Sequence, residues 1–253
     1  MKTLFSTWTA GLTGLVLATT AVAQGPMPMP GSGAGLTAAL SKLFGPAKAF
    51  SAQAEMNLQA KGSKEPVTFS TPFEMLDGQI RTEMDLAKMK NAQMPAEARQ
   101  GMKQMGMDQA VIIVTPATKT MFMIYPNLKA CVEMPLPERD ANAYEKTPQI
   151  ETVEVGKETL DGHPCVKNKV TLTEAGGNKY EGFTWTATDL NRFPIQMQFQ
   201  DDSGLQTIRF RNVQLKAPEA SRFVPPAAYA QYKSMQELMM NSMQKFMGGL
   251  PRK

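Results

Sequence analysis

The run Ile195-Gln196-Met197-Gln198-Phe199-Gln200 alternates apolar and polar residues without a break. That is the period of a strand with one buried and one solvated face. It sits in a meander of five extended segments between Gln149 and Lys216, with turns at Asp161-Gly162, Gly176-Gly177-Asn178 and Asp201-Asp202-Ser203-Gly204. Val153 and Val155, then Val166 to Thr173, then Phe183, Trp185 and Ala187 mark the preceding strands. In the segment that follows, Ile208 and Phe210 share one phase while Val213 and Leu215 take the other. A one-residue slip flips every side chain, so a β-bulge is expected at Arg211–Asn212.

The same alternation extends upstream. Phe50, Ala52, Ala54, Met56 and Leu58 alternate with polar residues, and Val67, Phe69, Phe73 and Met75 continue the pattern. Pro72 predicts an edge or a bulge, and Asp77-Gly78 a hairpin turn into Ile80 and Met84. Val111 to Val114 and Met121 to Ile124 are apolar in both phases, which predicts cover on both sides. Helical patterns are fewer: Leu36 to Phe44, the Met-rich insertion between Pro95 and Gly106, and Ala227 to Met247. About ten amphipathic strands with few helices predict a mainly β (α+β) fold. The expected form is a single curved antiparallel sheet, an unclosed half-barrel whose helical lid roofs an apolar cavity. Two such sheets packed as a cavity-free sandwich are the alternative.

The chain opens on Met1-Lys2, an apolar stretch from Leu4 to Ala18, and Ala21-Val22-Ala23 before Gln24. These features predict a cleaved signal peptide over 1–23 and export to the periplasm. A Pro/Gly/Met linker over 24–35 and a single domain over 36–250 follow. No later stretch approaches the ~20 apolar residues of a spanning helix. The net charge of +4 is spread without basic runs, which argues against nucleic acid as a partner. Cys131 and Cys165 each fall in phase with charged neighbours, so a disulfide is expected if their strands are adjacent.

Two stretches carry a resemblance to a known family. They are Val155-Gly156-Lys157-Glu158-Thr159-Leu160-Asp161-Gly162-His163-Pro164-Cys165 and Asp189-Leu190-Asn191-Arg192-Phe193-Pro194-Ile195-Gln196-Met197. With the exported start and the short helix before the first strand, they resemble the LolA/LolB-like superfamily. That resemblance implies a half-barrel with a helical lid and, by way of its carriers, cargo such as lipid or an acylated lipoprotein. It also implies an envelope protein partner as an alternative role.

Methionine, 20 residues in all, is the compositional outlier. It serves as core filler, as an adaptable apolar lining, or as thioether ligands for Cu(I). The candidate lining is Met102, Met105, Met107, Phe183, Trp185, Met197, Met235, Met239 and Met243. Met102, Met105 and Met107 are the alternative metal set. His163 is the only histidine, and no P-loop, dinucleotide fingerprint or H-E-x-x-H is present. A non-enzyme without a cofactor is expected.

Overall fold

The computed structural model describes residues 42–90, 94–145, 148–173, 177, 179–201 and 204–248. The expected signal peptide, the linker and most of the Leu36–Phe44 segment lie outside the described residues. What is described belongs to one compact unit, Gly33–Lys253. Its strands are β1 (Ala49–Ala60), β2 (Val67–Leu76), β3 (Gln79–Asp85), β4 (Gln109–Thr115), β5 (Thr120–Tyr125) and β6 (Ala130–Pro135). They continue with β7 (Gln149–Leu160), β8 (His163–Thr173), β9 (Lys179–Ala187), β10 (Phe193–Asp201), β11 (Gly204–Gln214) and β12 (Ala230–Tyr232). All twelve form one sheet in the order β12-β6-β5-β4-β3-β2-β1-β11-β10-β9-β8-β7. Only the β12–β6 pairing is parallel. The edges β12 and β7 do not meet, so the sheet is an unclosed half-barrel rather than a sandwich. The helices are α1 (Ala96–Gln104), α2 (Glu138–Glu145) and α3 (Met235–Gly248).

Local chemistry sets the register. Asp77 and Gly78 have φ of 47° and 84°, and Asp161 and Gly162 have 52° and 83°. Two successive positive values make the hairpin turn whose twist matches its strands. Ser51 faces Gln214 but Gln53 faces Arg211, so one extra residue enters β11, beside Asn212 with φ 52°. This is the expected bulge. Pro72 lies inside the sheet without a register shift, because the β2–β3 ladder stops at the neighbouring pair Phe73–Thr82. Beyond that point the Thr71 hydroxyl replaces the ladder, accepting from Glu83 N at 3.1 Å.

One face of the sheet, here called inner, holds the main core. Phe50, Ala52, Ala54 and Met56 stand opposite Met75, Phe73, Thr71 and Phe69. Phe44, Phe50, Phe73, Phe193 and Phe210 gather there, with ring centroids from 4.7 Å (Phe44–Phe50) to 6.3 Å (Phe50–Phe210). Each buried ring contributes roughly 1.5–3 kcal/mol, and each tilted or edge-on contact ~0.5–1.5 kcal/mol more.

The outer face of the β2–β6 region is covered too. After β11 the chain crosses it, placing Phe223, 3% exposed, among Ile113, Ile124 and Cys131. Arg222 Nε donates to Glu74 Oε2 at 2.8 Å, and Ala230 N to Lys129 O at 2.9 Å. The β4–β5 hairpin is thus buried on both sides, as its two apolar phases predict.

Two expectations are corrected. The last helix begins at Met235, not Ala227, since Tyr229 lies in the crossing arm and Tyr232 in β12. Ser234 Oγ accepts from Glu237 N at 3.1 Å, while Glu237 Oε2 accepts from Lys233 N at 2.9 Å. This capping box fixes the start. The disulfide is also absent: Cys131 and Cys165 are free and buried. They stand on β6 and β8, which lie near opposite edges of the sheet, so no thiol of one strand borders the other. Cys131 does share the outer phase with Lys129 and Glu133, but Phe223 covers that face locally.

Candidate ligand-binding face

The inner face is continuous from strand to strand. One row runs Asn168–Thr184–Met197–Ile208–Met56–Phe69 across β8, β9, β10, β11, β1 and β2. Val170, Gly182 and Phe199 form the next row. A Cβ on Gly182 would come within 2.5 Å of the Phe199 ring, so the missing side chain makes room for the ring to lie over the strand. Asn168 and Thr184 are buried polar interruptions of this surface, and Asn168 Nδ2 is satisfied by Val166 O at 3.3 Å.

The expected lining residues do not all reach this face. Met197, 1% exposed, is in its centre. Phe183 and Trp185 flank Thr184 and therefore point to the other side, into rows with Lys169 and Lys167. There Lys167 Nζ stands 5.2 Å from the Phe183 ring and 4.8 Å from the Trp185 ring. Trp185 Nε1 donates to Glu158 Oε1 at 2.5 Å. Phe183-Thr184-Trp185-Thr186-Ala187 puts its larger apolar residues in the outward phase, and the ammonium and carboxylate around them make that tolerable.

The remaining methionines occupy the helical segments. Met102 and Met105 are half-buried on α1 and at its end, a helix with no fully buried residue, whereas Met107 is buried beyond it. Met235 is half-buried, and its Sδ accepts from Tyr125 Oη at 3.7 Å, which sets α3 beside β5. Met239 is 42% exposed and its neighbour Met240 55%. The Met243 side chain lies outside the described residues. Leu238 is the buried anchor of α3 at 1% exposure.

Two open surface clefts lie elsewhere. One of about 450 Å³ is lined by Leu86, Met94, Arg99, Lys103 and Asp108 among others. The second, of about 480 Å³, lies where Lys119, Glu133 and Met134 meet Tyr232 and Lys233. Neither contains Met197 or its row.

His163 Nδ1 is 2.8 Å from Asp189 Oδ2, and Cys165 Sγ donates to the His163 carbonyl at 3.3 Å. Burial pushes the Cys165 thiol above its ordinary pKa, with nearby carboxylates adding to the rise. The thiol stays protonated at neutral pH and bonds to backbone, not to the imidazole, which is not how a cysteine nucleophile is activated. Burial, with Glu133 nearby, pushes the Cys131 thiol up as well, to about 11.

On the outer face, Arg209 holds Asp161 through two bonds of 2.7 and 2.6 Å. Arg211 bridges Asp161 at 2.7 Å and Glu55 at 2.6 Å. Burial alone would raise the Asp161 pKa, but the bonds from Arg209 and Arg211 outweigh it and hold the carboxyl below its usual value.

A family model described as a domain of unknown function, DUF4412, matches residues 72–193. No curated protein matches the chain. Among solved structures the chain is similar to the lipoprotein LppX of Mycobacterium tuberculosis, at 12% identity and a TM-score of 0.41, over 73% of this chain and 96% of that one. It is also similar to a LolA superfamily protein of Nitrosomonas europaea, at 9% identity and a TM-score of 0.33, over 76% of this chain and 96% of that one. A third likeness, to a Vibrio parahaemolyticus domain titled as outer membrane lipoprotein-sorting, has 11% identity and a TM-score of 0.32 over 74% and 95%. At such identities no binding residue transfers from one chain to another.

Proposed function

We propose that this chain is a periplasmic binding or carrier protein that shelters lipid or lipoprotein acyl chains against its inner face. The observation that carries this reading is a single unclosed sheet whose inner side, running from Phe69 through Met197 to Val170 and Leu172, is apolar but for Thr184 and Asn168. Among the described residues no second sheet packs on it, and α1 contributes no fully buried side chain to a cover. An apolar face bounded by an open edge and lightly held helices suits a flexible hydrocarbon ligand.

The test is native mass spectrometry of the mature protein taken from the periplasm, followed by organic extraction. An adduct of phospholipid or fatty-acid mass is expected, lost in Met197→Glu and kept in the outer-face control Gln198→Glu. A clean protein mass, unchanged by added phospholipid vesicles, overturns the reading. A shift with Cu(I) in that sample would turn attention to Met102, Met105 and Met107.

The exposure of Met239 and Met240 favours a second reading, in which α3 presents a surface to an envelope protein. Met239→Glu with Met240→Glu should then abolish a specific crosslink from α3 while leaving the lipid adduct intact.

A further inference from the structure

The buried hydroxyls of β2 and β3 are paired. Thr71 Oγ1 stands 3.1 Å from Thr82 Oγ1 and accepts from Glu83 N at 3.1 Å. Asn168 and Thr184 are treated differently. They face one another across β8 and β9 on the inner side of the sheet, at 6% and 3% exposure. The Thr184 hydroxyl has no hydrogen-bond partner among the described residues. Asn168 is half satisfied, its Nδ2 donating to Val166 O at 3.3 Å and to Thr186 Oγ1 at 3.5 Å. Thr186 Oγ1 donates in turn to Val166 O at 3.3 Å. Because a carbonyl can only accept, Val166 O fixes which way the amide lies, with Oδ1 turned away from it. Among the described residues Asn168 Oδ1 also has no partner.

We propose, building on the acyl-chain reading above, that Asn168 and Thr184 form a subsite for a hydroxyl group carried within a lipid chain. The preferred cargo is then a hydroxylated acyl chain. A ligand hydroxyl set between the two oxygens accepts from Thr184 Oγ1 and donates to Asn168 Oδ1, which completes both. An ester or ketone oxygen serves Thr184 alone, since it brings no proton for Asn168.

The surroundings decide where on the ligand that group sits. Met197 lies beside Thr184 in the same row, and Val170, Gly182 and Phe199 form the next. The polar group must therefore arrive inside hydrocarbon. Opposite this part of β8, at the β7 rim, Glu154 and Lys157 pair with one another at 3.8 Å. That pair leaves no free charge for a carboxylate or a phosphate. A buried hydroxyl without a partner costs the empty protein stability, and a bound hydroxyl restores it. A site built in this way discriminates against the chain that lacks the group.

The experiment titrates the mature protein with stearic acid and with hydroxystearic acids that differ in the position of the hydroxyl, by displacement of a fluorescent fatty acid. At least one positional isomer is expected to bind about tenfold tighter than stearic acid, a readout that needs no variant. Thr184→Val keeps the branched shape, and in it the ratio between the two ligands should fall to about one. The same variant, free of ligand, should melt about 2–4 °C higher. Isomers that all bind like stearic acid overturn the subsite while the acyl-chain reading stands; a water held permanently between the two oxygens would give this result. Binding of neither stearic nor hydroxystearic acid overturns both. A Thr184→Val protein that keeps the preference, or that melts lower, also overturns the subsite, because the hydroxyl then serves the fold instead of the ligand.

Discussion

The β3–β6 wing and the β7–β9 wing belong to one sheet but solve opposite problems. In the first, Ile112 and Ile113 are buried on opposite faces, as are Met123 and Ile124. Such strands need cover twice over, and the C-terminal arm supplies the outer layer through Phe223 and the Arg222–Glu74 pair before β12 closes the edge. In the second wing the outer face is left wet beyond Trp185, which is 6% exposed. Lys167 covers Phe183 and Trp185, Lys169 pairs with Glu181 at 3.0 Å, and the edge stays bare. Stability is therefore concentrated where the chain is covered on both sides or joined to the aromatic cluster, and access is kept where it is not.

The contrast can be broken by substitution. Phe50→Ala, at the centre of the five-ring cluster and 0% exposed, should cost about 3–5 kcal/mol in denaturant unfolding. Phe183→Ala, half-buried on the wet face, should cost about 1 kcal/mol or less. Equal losses would erase the distinction. Phe223→Ala should cost roughly 3 kcal/mol and release the arm, so that Cys131 reacts with a thiol reagent under native conditions while Cys165 stays protected. Full denaturation without reductant should label both cysteines, and a protein refusing label there would restore the disulfide. Arg222→Ala strands Glu74, 9% exposed, with the 3.5 Å contact to Arg81. It should cost about 1–2 kcal/mol and raise Cys131 labelling less than Phe223→Ala does.

Much of this architecture is legible in the sequence because it rests on local rules. Period-2 alternation located the strands, paired Asp-Gly turns set the hairpins, and the phase change between Phe210 and Val213 forced the bulge at Asn212. The double apolar phases of Val111–Val114 required two covers, although the pattern could not say that Phe223 would be one of them. Alternation separates two faces of a strand but does not say which of them is inner. The apolar phase of Phe183 and Trp185 therefore predicts the row of Met197, whereas Thr184 is the residue that shares that row. Cys131 read as solvated for the same reason, since its burial comes from an arm some ninety residues later in the chain. The start of α3 is legible in Ser234-Met235-Gln236-Glu237, a capping box, whereas the apolar pattern upstream of it extends the expected helix back to Ala227. The alternate strand order, with β1 between β2 and β11, depends on long-range pairing and is not written in any local segment.

The smallest effect concerns how the wet wing is tied to the rest. Asp161, at the tip of the β7–β8 hairpin, reaches Arg209 and Arg211 on β11, and its side chain is 25% exposed. Its folded pKa lies below the unfolded one, so the pair stabilises the protein above the ordinary carboxylate range, and the contribution disappears as pH falls through the folded value. Partial exposure and salt screening limit the loss in Asp161→Asn at neutral pH to about 1 kcal/mol or less. The gap between wild type and Asp161→Asn should narrow on acidification below about pH 4, and should also shrink in high salt. Unfolding curves for the two proteins that stay parallel from neutral to acid pH would mean that the hairpin tip is held by packing rather than by charge.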